Sequence, residues 1–364
     1  MNNKICAKRE EDVISCLSAL YRQYGYKRYK PGCFEEYALY QENKDFLIGK
    51  NVITFSDLNG NLMAMRPDVT LSLIRHNDIS DNSTDKFFYN EKVYRQSAGG
   101  RNYKEISQTG VEVVGSIDRA VVCELTMLIC RTLEAVSGNY IIDISHMGFT
   151  EGLLDEFSSN RNLLSEYLKT KNLHDFYALA AKEKYPQKLI SAFEIAVKAS
   201  GNPKKALEIA RTAILNSTMR DAIEELSAVF EVLEEFGLAY KININFSAVA
   251  NADYYNGIIF NGYVENIPHC VLSGGRYDKL IEKFRKRGGA IGFALYLGEI
   301  ERYLATDSDS VDYLIIYNEN TQVAALKAAQ KLLLNGASVR TSAQIPVGLV
   351  YKELIDLSTG EATI

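Results

Sequence analysis

The sequence predicts an α+β protein: a mostly antiparallel sheet flanked by helices, with a helical insertion and a small C-terminal β-α-β unit. Three observations carry this prediction. Strand-turn-strand patterns alternate with amphipathic helices in the first part of the chain. From about Gly148 to Gly237 the composition shifts to Ala, Leu, Glu and Lys without strand-like alternation. Strand patterns then resume before a linker and a final strand-helix-strand run.

Each element has a local reason. From Arg9 to Tyr24, the apolar residues Val13, Ile14, Leu17, Leu20, Tyr21 and Tyr24 recur at helical spacing until Gly25 stops the pattern. Val52 to Phe55 and Leu62 to Met65 flank Asp57-Leu58-Asn59-Gly60, whose Asn-Gly favours a tight turn with positive φ, so a hairpin is expected. Phe87 to Tyr94 and Ile106 to Val114 bracket the loop Ser97 to Asn102 and form a second, longer hairpin. Asp118 to Val136 reads as a helix ending at Gly138. The helical insertion breaks at Ser200-Gly201-Asn202-Pro203. Lys241 to Phe246, Gly257 to Val264 and Cys270 to Ser273 complete the sheet. Thr306 to Ser310 is the best linker, and Tyr313 to Tyr317, Gln322 to Asn335 and Ala337 to Arg340 form the β-α-β unit. Two domains follow, residues 1–304 and 305–364.

Composition excludes several classes. With 47% hydrophobic residues, 24% charged residues and a net charge of −5, the chain has no global attraction for nucleic acid or anionic membrane. Apolar runs such as Ala294 to Leu297 fall far short of the ~20 residues a membrane span needs. Met1 to Cys16 is too charged for a signal peptide, so a cytoplasmic location is expected. The six cysteines, Cys6, Cys16, Cys33, Cys123, Cys130 and Cys270, are scattered without C-x-x-C pairs and read as reduced thiols rather than a zinc site. His76, His146, His174 and His269 share no spacing and read as capped or surface imidazoles. Gly274-Gly275 before Arg276-Tyr277-Asp278 admits close approach of a ligand, although a Gly pair beside a helix start is usually a turn. The 23 Tyr against 15 Phe suit core positions or a pocket of flat faces bearing hydroxyls.

No single motif names a reaction, but four separated segments do so together. Met65-Arg66-Pro67-Asp68-Val69-Thr70 comes first, then Val93-Tyr94-Arg95 with Gln108-Thr109-Gly110-Val111-Glu112. Asp253-Tyr254-Tyr255-Asn256-Gly257 follows, and then Gly274-Gly275-Arg276-Tyr277-Asp278 with Ile291-Gly292-Phe293. In this order they resemble the class II histidyl-tRNA synthetase core over roughly residues 9 to 303. Tyr26 to Tyr37, with Pro31 and Phe34-Glu35, is similar to that family's dimer-forming first motif, which implies a homodimer core. The resemblance implies a class II antiparallel sheet and a histidine pocket. In it Asp68, Thr70, Gln108 and Glu112 surround the ammonium, and Tyr254, Tyr255 and Tyr277 lie around the imidazole. Without the other matches, Asp68 and Glu112 would read as salt-bridged sheet residues.

The ATP side departs from the family pattern. Ala250 stands where the synthetase has the Arg bridging the histidine carboxylate and α-phosphate, and Ser97 where an acidic residue reads adenine. The loop Gln96 to Asn102 keeps only Arg101, and Glu299 aligns with the Arg that holds the γ-phosphate, where a carboxylate repels a triphosphate. Arg302 is too far displaced to replace it, while Arg95 is retained as a residual phosphate contact. Each lost contact is worth roughly 2.7–4 kcal/mol, so adenylation is expected to be undetectable. Residues 305–364 hold Lys327, Lys331, Arg340 and Lys352 against seven acidic residues, a net −3 that is poor for binding an anticodon. A retained histidine pocket with lost adenylation arginines is similar to the regulatory subunits of ATP phosphoribosyltransferase. That implies a short-form catalytic subunit as partner, L-histidine as effector, no tRNA, and no cofactor or metal. The alternatives are a divergent histidyl-tRNA synthetase and a free-standing histidine sensor.

Overall fold

The computed structural model describes residues 10–47, 51–96, 102–248, 254–301 and 310–358. The chain divides into two compact units, Met1–Glu301 and Arg302–Ile364.

The first unit opens with α1 (Glu10–Gln23), which buries Val13, Leu17 and Tyr21 on one stripe. The Tyr21 ring packs at 5.8 Å from Phe88 and 6.4 Å from Phe293, and its hydroxyl lies 3.1 Å from Thr132 Oγ1. The short strands β1 (Lys27–Arg28) and β2 (Phe34–Glu36) follow, then α2 (Tyr37–Glu42), β3 (Thr54–Ser56) and β4 (Leu62–Met65). The first hairpin forms as expected, with β3 antiparallel to β4 and β2 added on the other side of β4. Of the Asn-Gly pair only Gly60 takes a positive φ, +83°. Asp57 organises the turn instead, its Oδ1 accepting the N–H groups of Asn59 (2.9 Å) and Asn61 (2.8 Å).

Helix α3 (Thr70–His76) leads into the long hairpin β5 (Thr84–Gln96) and β6 (Tyr103–Gly115), whose pairing extends past the apolar runs at both ends. Helix α4 (Arg119–Val136) starts at Asp118, whose side chain caps Val121 N–H at 2.9 Å. The next strand, β7 (Tyr140–His146), was not anticipated between that helix and the insertion. The insertion comprises α5 (Met147–Asp155), α6 (Arg161–Lys169), α7 (Leu173–Glu183), α8 (Gln187–Lys198), β8 (Ser200–Gly201), α9 (Pro203–Arg211) and α10 (Ser217–Glu235). The expectation of an all-helical segment is corrected by β8: the Ser-Gly break pairs with the next strand, β9 (Ile242–Asn245), instead of forming a bare loop.

The sheet is completed by β10 (Ile258–Val264), β11 (Leu272–Arg276), α11 (Asp278–Lys283), β12 (Gly289–Tyr296) and α12 (Leu297–Glu301). Among the described residues the nine-stranded order is β1-β5-β6-β12-β11-β10-β7-β9-β8. All neighbours are antiparallel except β1 with β5 and β7 with β9. Gly274 and Gly275 lie inside β11 and pair with both neighbours, so the reading of that pair as a turn is corrected.

The second unit has β13 (Ser310–Ile316), α13 (Gln322–Leu334), β14 (Val339–Ser342) and β15 (Val350–Asp356). The expected β-α-β unit gains a third parallel strand, with β14 and β15 on either side of β13. Ile315 packs with Ala325, Ala329 and Leu357 to form its core. Among the described residues no helix is long and apolar enough to cross a membrane.

Candidate functional site

The site is assembled from four places in the first unit. Arg66 is buried and donates to Pro31 O (3.1 Å), Gly32 O (2.6 Å), Lys92 O (2.8 Å) and Glu91 Oε2 (3.0 Å). It thereby ties the loop before β2 to β5, and two residues later Asp68 Oδ1 accepts Leu71 N–H at 2.9 Å at the head of α3. Strand β6 supplies Gln108 and Glu112, which the two-residue period places on one face. Tyr254 and Tyr255 precede β10, and Tyr277 follows β11.

All seven residues expected around histidine, together with Arg95, line one cavity, joined by Tyr89, Ser273, Gly292, Phe293 and Tyr296. The cavity exists because of what lies beside Glu112 in register: Gly292 on β12, and Gly275 across from Gly292 on β11. A Cβ on Gly292 would come 1.8 Å from Glu112 Oε2, and one on Gly274 would come 2.2 Å from Gly292 O. The tyrosines pack as a cluster, Tyr254 lying 4.6 Å from Tyr255 and 5.5 Å from Tyr277 between ring centroids. They leave about 30 Å³ of water-accessible space, enough for about two waters.

The cavity is rich in acceptors and poor in cations. Glu112 is 3% exposed, takes a hydrogen bond from Thr70 Oγ1 at 2.6 Å, and accepts another from the Tyr277 hydroxyl. Burial pushes its pKa up to about 8; the two hydroxyl donors pull against this, and the Asp68 charge adds to the rise. Burial also raises Asp68 above the ordinary carboxylate value, opposed by Arg95 and by the N–H groups of Leu71 and Thr70. Arg95 Nη2 is 3.9 Å from Asp68 Oδ2, and its Nε donates to Pro67 O at 2.8 Å. Gln108 Oε1 is buried and, among the described residues, has no hydrogen-bond partner. An orphan acceptor costs about 1–3 kcal/mol, which a donor-bearing ligand removes. Burial, with the carboxylates adding to it, holds the Tyr254, Tyr255 and Tyr277 phenols far above their ordinary values, so they remain neutral. Two carboxyls, an amide oxygen and neutral phenols form a site for a small cationic group with an aromatic or apolar appendage.

Tyr89, Ser273 and Tyr296 were not anticipated in this lining; the alternation of β5, β11 and β12 is the signal that could have found them. Ala250, Ser97, Arg101 and Arg302 lie outside the described residues. Glu299 sits half-buried on α12 and does not line the cavity. None of the four histidines lines it either: His174 and His269 are exposed, while His146 caps α5 by accepting Gly148 N–H at 3.0 Å.

Comparison with known proteins accounts for this architecture. Residues 4–300 match the model of the histidyl-tRNA synthetase family, and the chain belongs to that family. Its relatives include the ATP phosphoribosyltransferase regulatory subunit of Oceanobacillus iheyensis, 26% identical, with 89% of this chain and 82% of the relative covered. A solved structure from Bacillus halodurans, described as an ATP phosphoribosyltransferase regulatory subunit/histidyl-tRNA synthetase, superposes with a TM-score of 0.77 at 22% identity, covering 95% of this chain and 93% of that one. A chain of the ATP phosphoribosyl transferase (HisG:HisZ) complex from Thermotoga maritima superposes at 0.64 and 22% identity over 79% of this chain and 97% of its own. These likenesses establish the class II synthetase-like α+β fold.

Proposed function

We propose that this chain is the non-catalytic regulatory subunit of an ATP phosphoribosyltransferase complex in the first step of histidine biosynthesis. Two copies of the chain form a homodimer core, the chain holds a short-form catalytic subunit in an active hetero-oligomer, and it reports L-histidine as feedback inhibitor. The observation that carries this reading is the acceptor-lined tyrosine cavity, in a chain whose relatives bear that subunit's name. The Thermotoga maritima structure, described as a complex of two components, supports a catalytic partner.

Histidine fits the cavity chemically. Its ammonium meets Asp68, Thr70, Glu112 and the Gln108 oxygen, and its imidazole meets the Tyr254, Tyr255 and Tyr277 faces. Inhibition then requires that histidine bind the less active state of the complex more tightly than the active one. Ala250, Ser97 and Glu299 replace the residues that adenylation needs, which removes synthetase activity from the reading. The net −3 of residues 305–364 argues against tRNA as a partner.

A co-purification tests the partnership: a tagged chain captures the short-form catalytic subunit, and the mixture condenses ATP with phosphoribosyl pyrophosphate faster than the catalytic subunit alone. Failure of both capture and stimulation leaves a free-standing sensor. The rival that the description of the Bacillus halodurans structure also names is a histidyl-tRNA synthetase. Histidine-dependent exchange of pyrophosphate into ATP by this chain would establish that reading instead.

A further inference from the structure

The cavity leaves too little space for an amino acid while Tyr254, Tyr255 and Tyr277 hold these positions, so admitting a ligand moves them. What they are tied to then matters. Asn256, next to Tyr255, donates from its side chain to Asp278 Oδ2 (3.1 Å) and accepts Asp278 N–H (2.8 Å), while its own N–H reaches Arg276 O (3.0 Å). Asp278 also accepts Arg276 Nε (2.7 Å) and Ala290 N–H (2.9 Å). Tyr277 lies between Arg276 and Asp278 and Tyr255 adjoins Asn256, so one hydrogen-bonded anchor flanks both, with Tyr254 packed against their rings.

That anchor continues out of the site. Arg276 lies across Gly257, where a Cβ would come 2.9 Å from its Cδ. From Gly257 the route runs through the backbone to Met147, whose neighbour His146 meets Glu225 of α10 in the helical insertion. His146 Nε2 is 3.0 Å from Glu225 Oε2. Because His146 Nδ1 accepts from Gly148, its proton sits on Nε2 and donates to Glu225. Burial alone would raise the Glu225 pKa, but His146, Arg276 and Arg119 outweigh it and hold the group below its ordinary value. Met147 N–H donates to Gly257 O at 2.8 Å, so the start of the insertion is fastened to the same corner.

Resting on the histidine-sensor reading, we propose that Arg276 and Asp278 are positioning residues of the tyrosine cluster and that Glu225 couples the cluster to α10, so that the helical insertion registers ligand occupancy. The physical warrant is a contiguous path, Asn256-Gly257 to Met147 and His146 to Glu225, of hydrogen bonds and adjoining residues between a site that must open and a helix outside it. Coupling of this kind is reciprocal, so disturbing α10 alters ligand affinity by the same factor that the ligand alters α10.

Amide hydrogen exchange on the full chain, with and without saturating L-histidine, tests this alongside calorimetry of histidine binding. In the wild type, histidine changes exchange across residues 217–235. E225Q keeps an acceptor for His146 but loses the charge beside it; it binds histidine within about fivefold of wild type, yet its α10 response falls by at least about threefold. D278N has one acceptor oxygen and cannot hold Arg276 and Asn256 on one side and Ala290 N–H on the other, and it weakens histidine by about tenfold or more while also losing the response. Histidine binding with an unaltered α10 in wild type, or a full response in E225Q, overturns the coupling alone. Absence of histidine binding to the wild type overturns the coupling and the sensor reading together.

Discussion

Glu112 in the first unit and Asp312 in the second are both carboxyls that accept side-chain hydrogen bonds, yet their pKa values move in opposite directions. Asp312 takes the Lys352 ammonium on one oxygen and Ser338 N–H and Oγ, each at 2.8 Å, on the other. The lysine bond, followed by the Ser338 donors, holds it well below the usual carboxylate range. Glu112 has two hydroxyl donors and, among the described residues, no paired cation, and burial wins over the donors. The difference separates a surface carboxylate satisfied by its own chain from a buried one whose missing counter-charge a ligand can supply. Asp312 is satisfied by Lys352 and Ser338, whereas in the cavity Gln108 Oε1 lacks a donor among the described residues and burial raises both carboxyls.

The contrast is broken most severely by filling the space beside Glu112. Gly292→Ala, whose Cβ would fall 1.8 Å from Glu112 Oε2, is expected to lower histidine affinity by more than about 100-fold and to destabilise the chain by about 1–3 kcal/mol. Calorimetry and denaturant unfolding measure the two effects. A smaller change tests the charge alone. A cation bound beside Glu112 lowers its pKa from about 8, so histidine binding at pH 7 releases a proton, seen as a dependence of binding enthalpy on the buffer's ionisation heat. Glu112→Gln removes that release.

Stability of the ligand-free chain gives the same group an independent readout. Its folded pKa of about 8 lies above the ordinary 4.5, so the contribution is complete below about pH 4.5 and lost as pH rises through about 8. Melting temperature should therefore fall less steeply between pH 5 and pH 8 in Glu112→Gln than in wild type. The smallest effect belongs to the second unit: Lys352→Ala breaks an exposed pair, shifts Tm by about 2 °C or less and leaves histidine binding unchanged.

How far the sequence reveals this molecule depends on whether a residue's task is local. Helix α1 and both hairpins follow from spacing and turn chemistry, and the carboxyl, amide and tyrosine residues of the cavity follow from a family pattern of separated segments. Strand β7 was missed because Tyr140 to His146 is a single central strand between two helical stretches, with no hairpin turn to announce it. Gly274-Gly275 looked like a turn because glycine in a strand is locally unfavourable; its reason is the neighbouring strand and the cavity, both distant in sequence. Arg66 carries no local sign that its guanidinium is buried on backbone carbonyls. Strand β15 has an exposed pattern and pairs on the far side of β13, which no nearby residue specifies.

The central claim is that the cavity of Asp68, Gln108, Glu112 and the tyrosines is where histidine acts. Inhibition of the purified complex of this chain with its short-form catalytic subunit, followed against histidine concentration, tests it most directly. Glu112→Ala is predicted to need about 10-fold or more histidine for half inhibition, and Tyr255→Phe several-fold more than wild type. Unchanged inhibition in both variants would contradict the account and put the regulatory site elsewhere.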